Sequence, residues 1–241
     1  MLTLTRKDLR WTRGRGKIGR VAGGELTSRY GTVVWDGIGT LRIRYGGSPL
    51  RSRLGERVVP IEALRAVEVT DAGLQFVLRD GADPLQSVTQ PIELYDFPGV
   101  DHEAAEGIAR DIGQALVRRD VPATASTAWL VAPPPAPDRI EGRDATLAVA
   151  SGQLTFNYHR SAGRKKKAFG DPWSVPLGDI VDVEWAPAVG FGARGFLRIS
   201  TAATPDVRPK PKHDPAAMLT RRAAEADALF FAARLLTRIR P

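Results

Sequence analysis

The chain has 241 residues, 43% hydrophobic and 26% charged, which is globular and enough for one large domain or two ordinary ones. It holds 35 Lys and Arg against 27 Asp and Glu and no Cys, so disulfides, thiolate metal sites and a thiol nucleophile are excluded. No run of about 18 apolar residues occurs, which leaves no helical membrane span. The charge is unevenly placed. Residues 1–30 carry Arg6, Lys7, Arg10, Arg13, Arg15, Lys17, Arg20 and Arg29 against Asp8 and Glu25, six of the eight net charges. This stretch is expected to be a disordered basic arm that attracts polyanions. No apolar segment follows it, so it is not a secretory signal.

Residues 31–120 read as a first domain, with strands expected near 32–36, 39–46, 56–60, 64–70, 73–79, 85–88 and 91–95 from alternating apolar residues between Gly, Pro and Asp turns. A helix follows over about 101–119, with Ala105, Ile108, Ile112 and Leu116 on one face. Residues 121–138 include Pro133-Pro134-Pro135-Ala136-Pro137 and read as a stiff linker. The second domain, 139–241, has strands expected near 145–150, 153–159, 172–176, 180–186 and 195–200. Its helix is expected over about 215–239, capped by Asp214 with Pro215 at the first position and striped by Ala226, Leu229, Ala233 and Leu236.

The two domains are copies of one another. Leu41-Arg-Ile43-Arg-Tyr45 matches Leu154-Thr-Phe156-Asn-Tyr158 at an offset of 113, each preceded two places earlier by a glycine, Gly39 or Gly152. Val59-Pro60-Ile61…Val67-Glu68-Val69 matches Val175-Pro176-Leu177…Val183-Glu184-Trp185 without a gap at an offset of 116. A return strand from Gly73 answers one from Gly195, and each copy ends in a helix. The expected fold class is α+β, mainly β. Each tandem domain is a bent antiparallel seven-stranded sandwich or barrel capped by a C-terminal helix, the pattern of the pleckstrin-homology superfold.

With Trp35-Asp-Gly-x-Gly-x-Leu, the Val-Pro-Ile/Leu…Val-Glu-Val/Trp segments, Leu78-Arg-Asp-Gly-Ala-Asp-Pro84, Trp185-Ala-Pro-Ala…Gly-Phe-Leu-Arg198 and Pro-Lys-His-Asp-Pro at 211–215, the chain resembles an actinobacterial family, domain of unknown function 4429, usually found as a tandem pair. The resemblance covers about residues 31–241. It implies a double pleckstrin-homology-like fold, no established activity, and no catalytic residues to carry over.

Motifs for chemistry are sparse. Gly14-x-Gly16-x-x-Gly19 and Gly190-x-Gly192-x-x-Gly195 lack the strand-to-helix context of a dinucleotide loop. His102, His159 and His213 have no ligand spacing, so no metal or cofactor is expected. Glu68 and Glu184 fall on repeat-equivalent strand positions and read as solvent-facing. The strongest local feature is Arg160-Ser-Ala-Gly-Arg164-Lys165-Lys166-Lys167. Mutual repulsion predicts that it is exposed. By analogy with pleckstrin-homology domains, in many of which an early hairpin loop with spaced Lys and Arg binds anionic headgroups, it is expected to hold acidic lipid headgroups, with a weaker version in Arg51, Arg53 and Arg57. Phe169 and Trp173 stand beside the cations, Trp173 as rim or as core. The expectation is a non-enzymatic, cytoplasmic interaction or adaptor module that binds a protein or peptide partner. It would also bind anionic phospholipid peripherally, at the inner membrane face. Nucleic acid, engaged through the basic arm, is the alternative partner, although no recognition helix or stacking platform accompanies it. An enzyme with a site between the domains ranks behind both.

Overall fold

The computed structural model describes residues 23–88, 93–188, 194–205 and 207–240. In chain order the elements are β1 Gly24–Ser28, β2 Gly31–Trp35, β3 Thr40–Tyr45, α1 Pro49–Leu54, β4 Glu56–Pro60, β5 Leu64–Thr70, β6 Gly73–Leu78, α2 Pro84–Val88, β7 Asp96–Pro98 and α3 His102–Arg118. They continue with β8 Arg139–Glu141, β9 Ala145–Ala150, β10 Gln153–Tyr158, α4 Arg164–Lys167, β11 Trp173–Pro176, β12 Ile180–Ala186, β13 Phe196–Thr201, β14 Ala217–Leu219 and α5 Glu225–Ile239. The protein is mainly β. Its four antiparallel sheets run β1-β2-β3-β4, β5-β6-β7, β11-β10-β9-β8 and β12-β13-β14. The described residues form two compact units, one from residues 23–83 and 93–132, the other from 84–88 and the described part of 133–240.

The first unit is built as the alternation requires. On β3, Leu41, Ile43 and Tyr45 point inward, while Arg42 and Arg44 face out and pair with Glu56 on β4 at 3.5 and 3.0 Å. Phe76 of β6 meets Phe97 of β7 edge to face, ring centroids 5.9 Å apart. Asp101 caps α3, its carboxylate accepting from Ala104 N at 2.9 Å, and Ala105, Ile108 and Ile112 are buried. After α3, Ser126 N donates to Asp80 O, and Leu130 and Val131 N both donate to Ala82 O. The stretch 126–131 is thereby hydrogen-bonded onto the first unit.

The second unit repeats these devices. Ile61 N donates to Gly39 O at 2.8 Å, and Leu177 N to Gly152 O at 2.9 Å, so the glycines that mark the repeat hold the same backbone bond. The β5–β6 ladder shifts register between Leu64 and Ala66, and the β12–β13 ladder between Ile180 and Asp182, the same bulge at an offset of 116. Leu154, Phe156 and Tyr158 of β10 are buried, as are Ala226, Leu229, Ala233 and Leu236 of α5. Helix α5 packs against β12 and α2.

Several expected elements differ. Residues 24–28, assigned to the basic arm, form β1, paired along its length with β2; its single buried residue, Leu26, gives no periodic signal. Residues 85–88 are helix, not strand, because Leu85 and Val88 lie three apart on one turn. Residues 93–95 precede the strand at 96–98. The helix expected from 215 begins at Glu225 after a short 3-10 turn, and Ala217-Met-Leu219, strong helix formers, instead pair with β13. Asp214 caps no helix; it accepts from Ala216 N at 2.9 Å in the turn before β14. Residues 1–22, including the first glycine motif, and most of the second glycine motif lie outside the described residues.

Candidate functional site

In the second unit the polybasic segment does not lie wholly in solvent. Arg160, Arg164 and Lys165 are exposed, and Lys167 is half-buried beside Asp171 at 3.4 Å. Lys166 is 0% exposed, so the expectation of an exposed run fails there. Its ammonium donates to Asp144 Oδ2 and to Ala217 O, both at 2.6 Å, and Asp144 Oδ1 accepts from Leu219 N at 2.8 Å. A buried carboxylate at the β8–β9 turn therefore overcomes the repulsion that would keep Lys166 outside.

This arrangement has a geometric consequence. Lys166 ties α4 to the start of β14, and Tyr158 OH donates to Pro215 O at 2.7 Å. The segment leading into β14, Arg208-Pro-Lys-Pro-Lys-His-Asp-Pro, is also pinned from within. Arg198 donates to Pro209 O at 3.1 Å and lies 3.0 Å from Asp214, Arg208 bonds the Ser200 hydroxyl, and His213 N donates to Lys210 O at 2.8 Å. Between α4 and this segment opens a cleft of about 730 Å³ lined by Lys165, Phe169, Lys210, Lys212 and His213.

The cleft is strongly cationic. Asp214, the carboxylate in the Pro-Lys segment, turns inward to Arg198 and is 5% exposed. Among the described residues no carboxylate lies within 4.0 Å of Lys165, Lys210 or Lys212. His213 registers the field: partial desolvation and then Lys212, Lys165, Lys166 and Lys210 hold its imidazole below the usual histidine value. Phe169 stands 67% exposed on the α4 wall. Trp173 is half-buried with its ring 5.1 Å from that of Phe156.

Lys210 and Lys212 are absent from the candidate residues the sequence offers, because the stretch before Pro215 reads as the lead-in to a helix, and His213 stands there only as a histidine without ligand spacing. The available signal is the alternation of Pro209 and Pro211 with Lys210 and Lys212, which forbids helix; the structure turns the chain there, His213 N donating to Lys210 O.

In the first unit, Arg53 is exposed on α1, but Arg51 is 8% exposed. Its guanidinium lies 4.1 Å over the Tyr30 ring and donates to Glu93 O, so it packs inside the unit. Arg57 is also buried, bidentate to Asp83 at 2.7 Å and bonded to Tyr95 OH at 3.1 Å and Ala132 O at 2.9 Å. A cleft of about 230 Å³ nearby carries both signs, with Arg29, Glu93 and Asp96 all in its lining. Burial and then Glu93 hold the Asp96 carboxyl above its usual value.

The histidines are not assembled into a ligand set. His102 faces Glu106 at 3.4 Å, His159 bonds Thr146 at 2.8 Å, and among the described residues no group of three metal-ligating side chains occurs. Glu68 and Glu184 are exposed on their strands. No helix among the described residues is long and apolar enough to cross a membrane.

Two tandem, mainly β units, each with a four-stranded and a three-stranded antiparallel sheet and a closing helix, define the class of the protein. The chain belongs to the family described as Domain of unknown function (DUF4429), whose model matches residues 35–106 and 151–236, one stretch in each copy of the repeat. No curated protein and no solved structure matches the chain.

Proposed function

We propose that the chain is a tandem pleckstrin-homology-like interaction module, without catalytic activity, that the second unit holds against acidic membrane surfaces at the cytoplasmic face. The pleckstrin-homology reading is supported by the meander of four plus three antiparallel strands closed by a helix in each unit. The observation that carries the membrane reading is the cleft between α4 and 209–215, whose lining includes Lys165, Lys210 and Lys212 and no carboxylate. Exposed Phe169 on its rim adds an apolar contact for the interfacial layer. In this reading the first unit and the remaining sheet edges serve protein or peptide partners.

Vesicle flotation tests the proposal, comparing neutral vesicles with vesicles rich in monoanionic lipid at low and moderate salt. Each cation near an anionic surface contributes about 1 kcal/mol, so Lys210→Ser with Lys212→Ser should weaken partition roughly 30-fold. Binding retained in that variant and abolished by removing residues 1–22 would instead favour a polyanion, nucleic acid included, on the basic arm. If the intact chain floats with neither vesicle type, the membrane reading is wrong.

A further inference from the structure

We propose that the cleft of the second unit selects lipid headgroups that end in a phosphate monoester over diester headgroups presenting the same surface charge. The inference rests on the membrane reading and names the ligand chemistry of that same cleft.

The argument begins with the number and sign of the groups on its walls. Lys165, Lys210 and Lys212 bring three ammonium groups and His213 an imidazole, and Asp214, the nearest acid in sequence, faces away to Arg198. A diester headgroup offers one negative charge, with two of its four phosphate oxygens esterified. A monoester carries about −1.5 to −2 near neutral pH and presents three strong acceptor oxygens. Three lysines lining one cleft that has no carboxylate in its lining are matched by the second ligand and left partly unpaired by the first.

Preorganisation sharpens that preference. Ordering a free lysine costs up to about 2 kcal/mol of rotamer and backbone freedom. Here the backbone that carries Lys210 and Lys212 is already fixed by Pro209, Pro211 and Pro215 and by Arg198. The opposite wall is fixed by Lys166, whose ammonium reaches Asp144 and Ala217 O. Cations carried on a held backbone lose less freedom on meeting a compact dianion than those of a flexible tail, which follows total surface charge alone.

Two features point to lipid and to one unit. Phe169, 67% exposed on the cleft wall, has no use for a free phosphate in water but suits the acyl boundary beneath a headgroup. The topologically matching corner of the first unit, α1 and the approach to β7, has Arg51 packed on Tyr30 and the carboxylates of Glu93 and Asp96. The selection therefore belongs to the second unit.

The test is flotation of the full chain on phosphatidylcholine vesicles doped with phosphatidic acid, or with enough phosphatidylglycerol to reach the same surface potential. The intact chain should partition about five-fold more strongly onto phosphatidic acid, the equivalent of one additional charge contact. Lys210→Ser with Lys212→Ser should remove the preference while the circular dichroism of the chain is unchanged. Equal partition onto the two vesicle types overturns the selection and leaves the membrane reading standing. A preference that survives in the variant overturns the cleft as its origin. Flotation with neither lipid overturns both.

Discussion

The Lys166 ammonium sits 2.6 Å from Asp144 Oδ2 with both side chains out of solvent, 0% and 5% exposed. The pair joins the turn after β8 to α4, and through Ala217 O and Leu219 N it also holds β14. Removing one member of a buried pair strands the other charge, which typically costs about 3–5 kcal/mol. Lys166→Met should therefore lower the urea-unfolding free energy by that amount. Adding Asp144→Asn, which still accepts from Leu219 N, should restore more than half of it. A loss below about 1 kcal/mol in the single variant would show that the pair does not hold the unit together. The same reasoning governs the choice of binding variants. Changes at Lys166 perturb folding, whereas changes at Lys165, Lys210 or Lys212 report on the cleft.

Lys166 also marks where sequence reasoning reaches its limit. Alternation locates the long strands, and Gly39 and Gly152 mark the repeat, each supplying the carbonyl for the same backbone bond after a Val-Pro step. Those signals are local. Burial of one lysine in a cationic run is decided by a carboxylate 22 residues away, which no local pattern encodes. The three-residue strands β8 and β14 are too short for a period to register, and in β14 the helix-forming Ala-Met-Leu is held in the sheet by tertiary packing. Arg57 was legible in principle. It lies two residues before buried Val59 on β4, so alternation already turned it inward, and the missing information was Asp83.

Tyr95 tests the buried network of the first unit. Its hydroxyl donates to Asp83 Oδ2 at 2.6 Å and accepts from Arg57 Nη1 at 3.1 Å. Tyr95→Phe leaves the ring in place and removes both bonds, so it should cost about 1–3 kcal/mol in urea unfolding without loss of the fold. Burial and then the Asp83 charge hold the Tyr95 phenol well above its ordinary value. A folded-state value raised above the unfolded one gives stability that is complete below about pH 10 and lost as pH rises past it. Phenolate absorbance should show Tyr95 titrating only as the unit unfolds. A phenolate signal from Tyr95 in the folded protein near pH 10 would contradict the network.

His213 carries the opposite sign at the acid end. Its imidazole is held below the ordinary value by desolvation and by Lys212, Lys165, Lys166 and Lys210, while Asp214 faces Arg198 and gives it no counter-charge. The unfolded chain therefore takes up the proton first as pH falls through about 6.5, and this contribution to stability declines until the folded imidazole is also protonated. An NMR titration should place the His213 midpoint below that of a free histidine. Lys210→Ser with Lys212→Ser should move the midpoint upward. A midpoint unchanged by the variant would mean that the lysines do not set the field in the cleft.

Phe169 separates attachment by charge alone from attachment that also uses an apolar contact. At 67% exposure on the α4 wall it has little packing to lose, so Phe169→Ala should change folding stability by no more than about 0.5 kcal/mol. If the ring enters the interfacial layer, the same change removes apolar burial worth about 1.5–3 kcal/mol at full insertion and should lower vesicle partition at least ten-fold. Raising the salt distinguishes the two contributions, because screening weakens the lysine contacts and leaves the apolar term nearly unchanged. The ratio of wild-type to Phe169→Ala partition should therefore persist as salt rises, while both partition coefficients fall. A ratio near one at every salt concentration would confine attachment to the cations of the cleft.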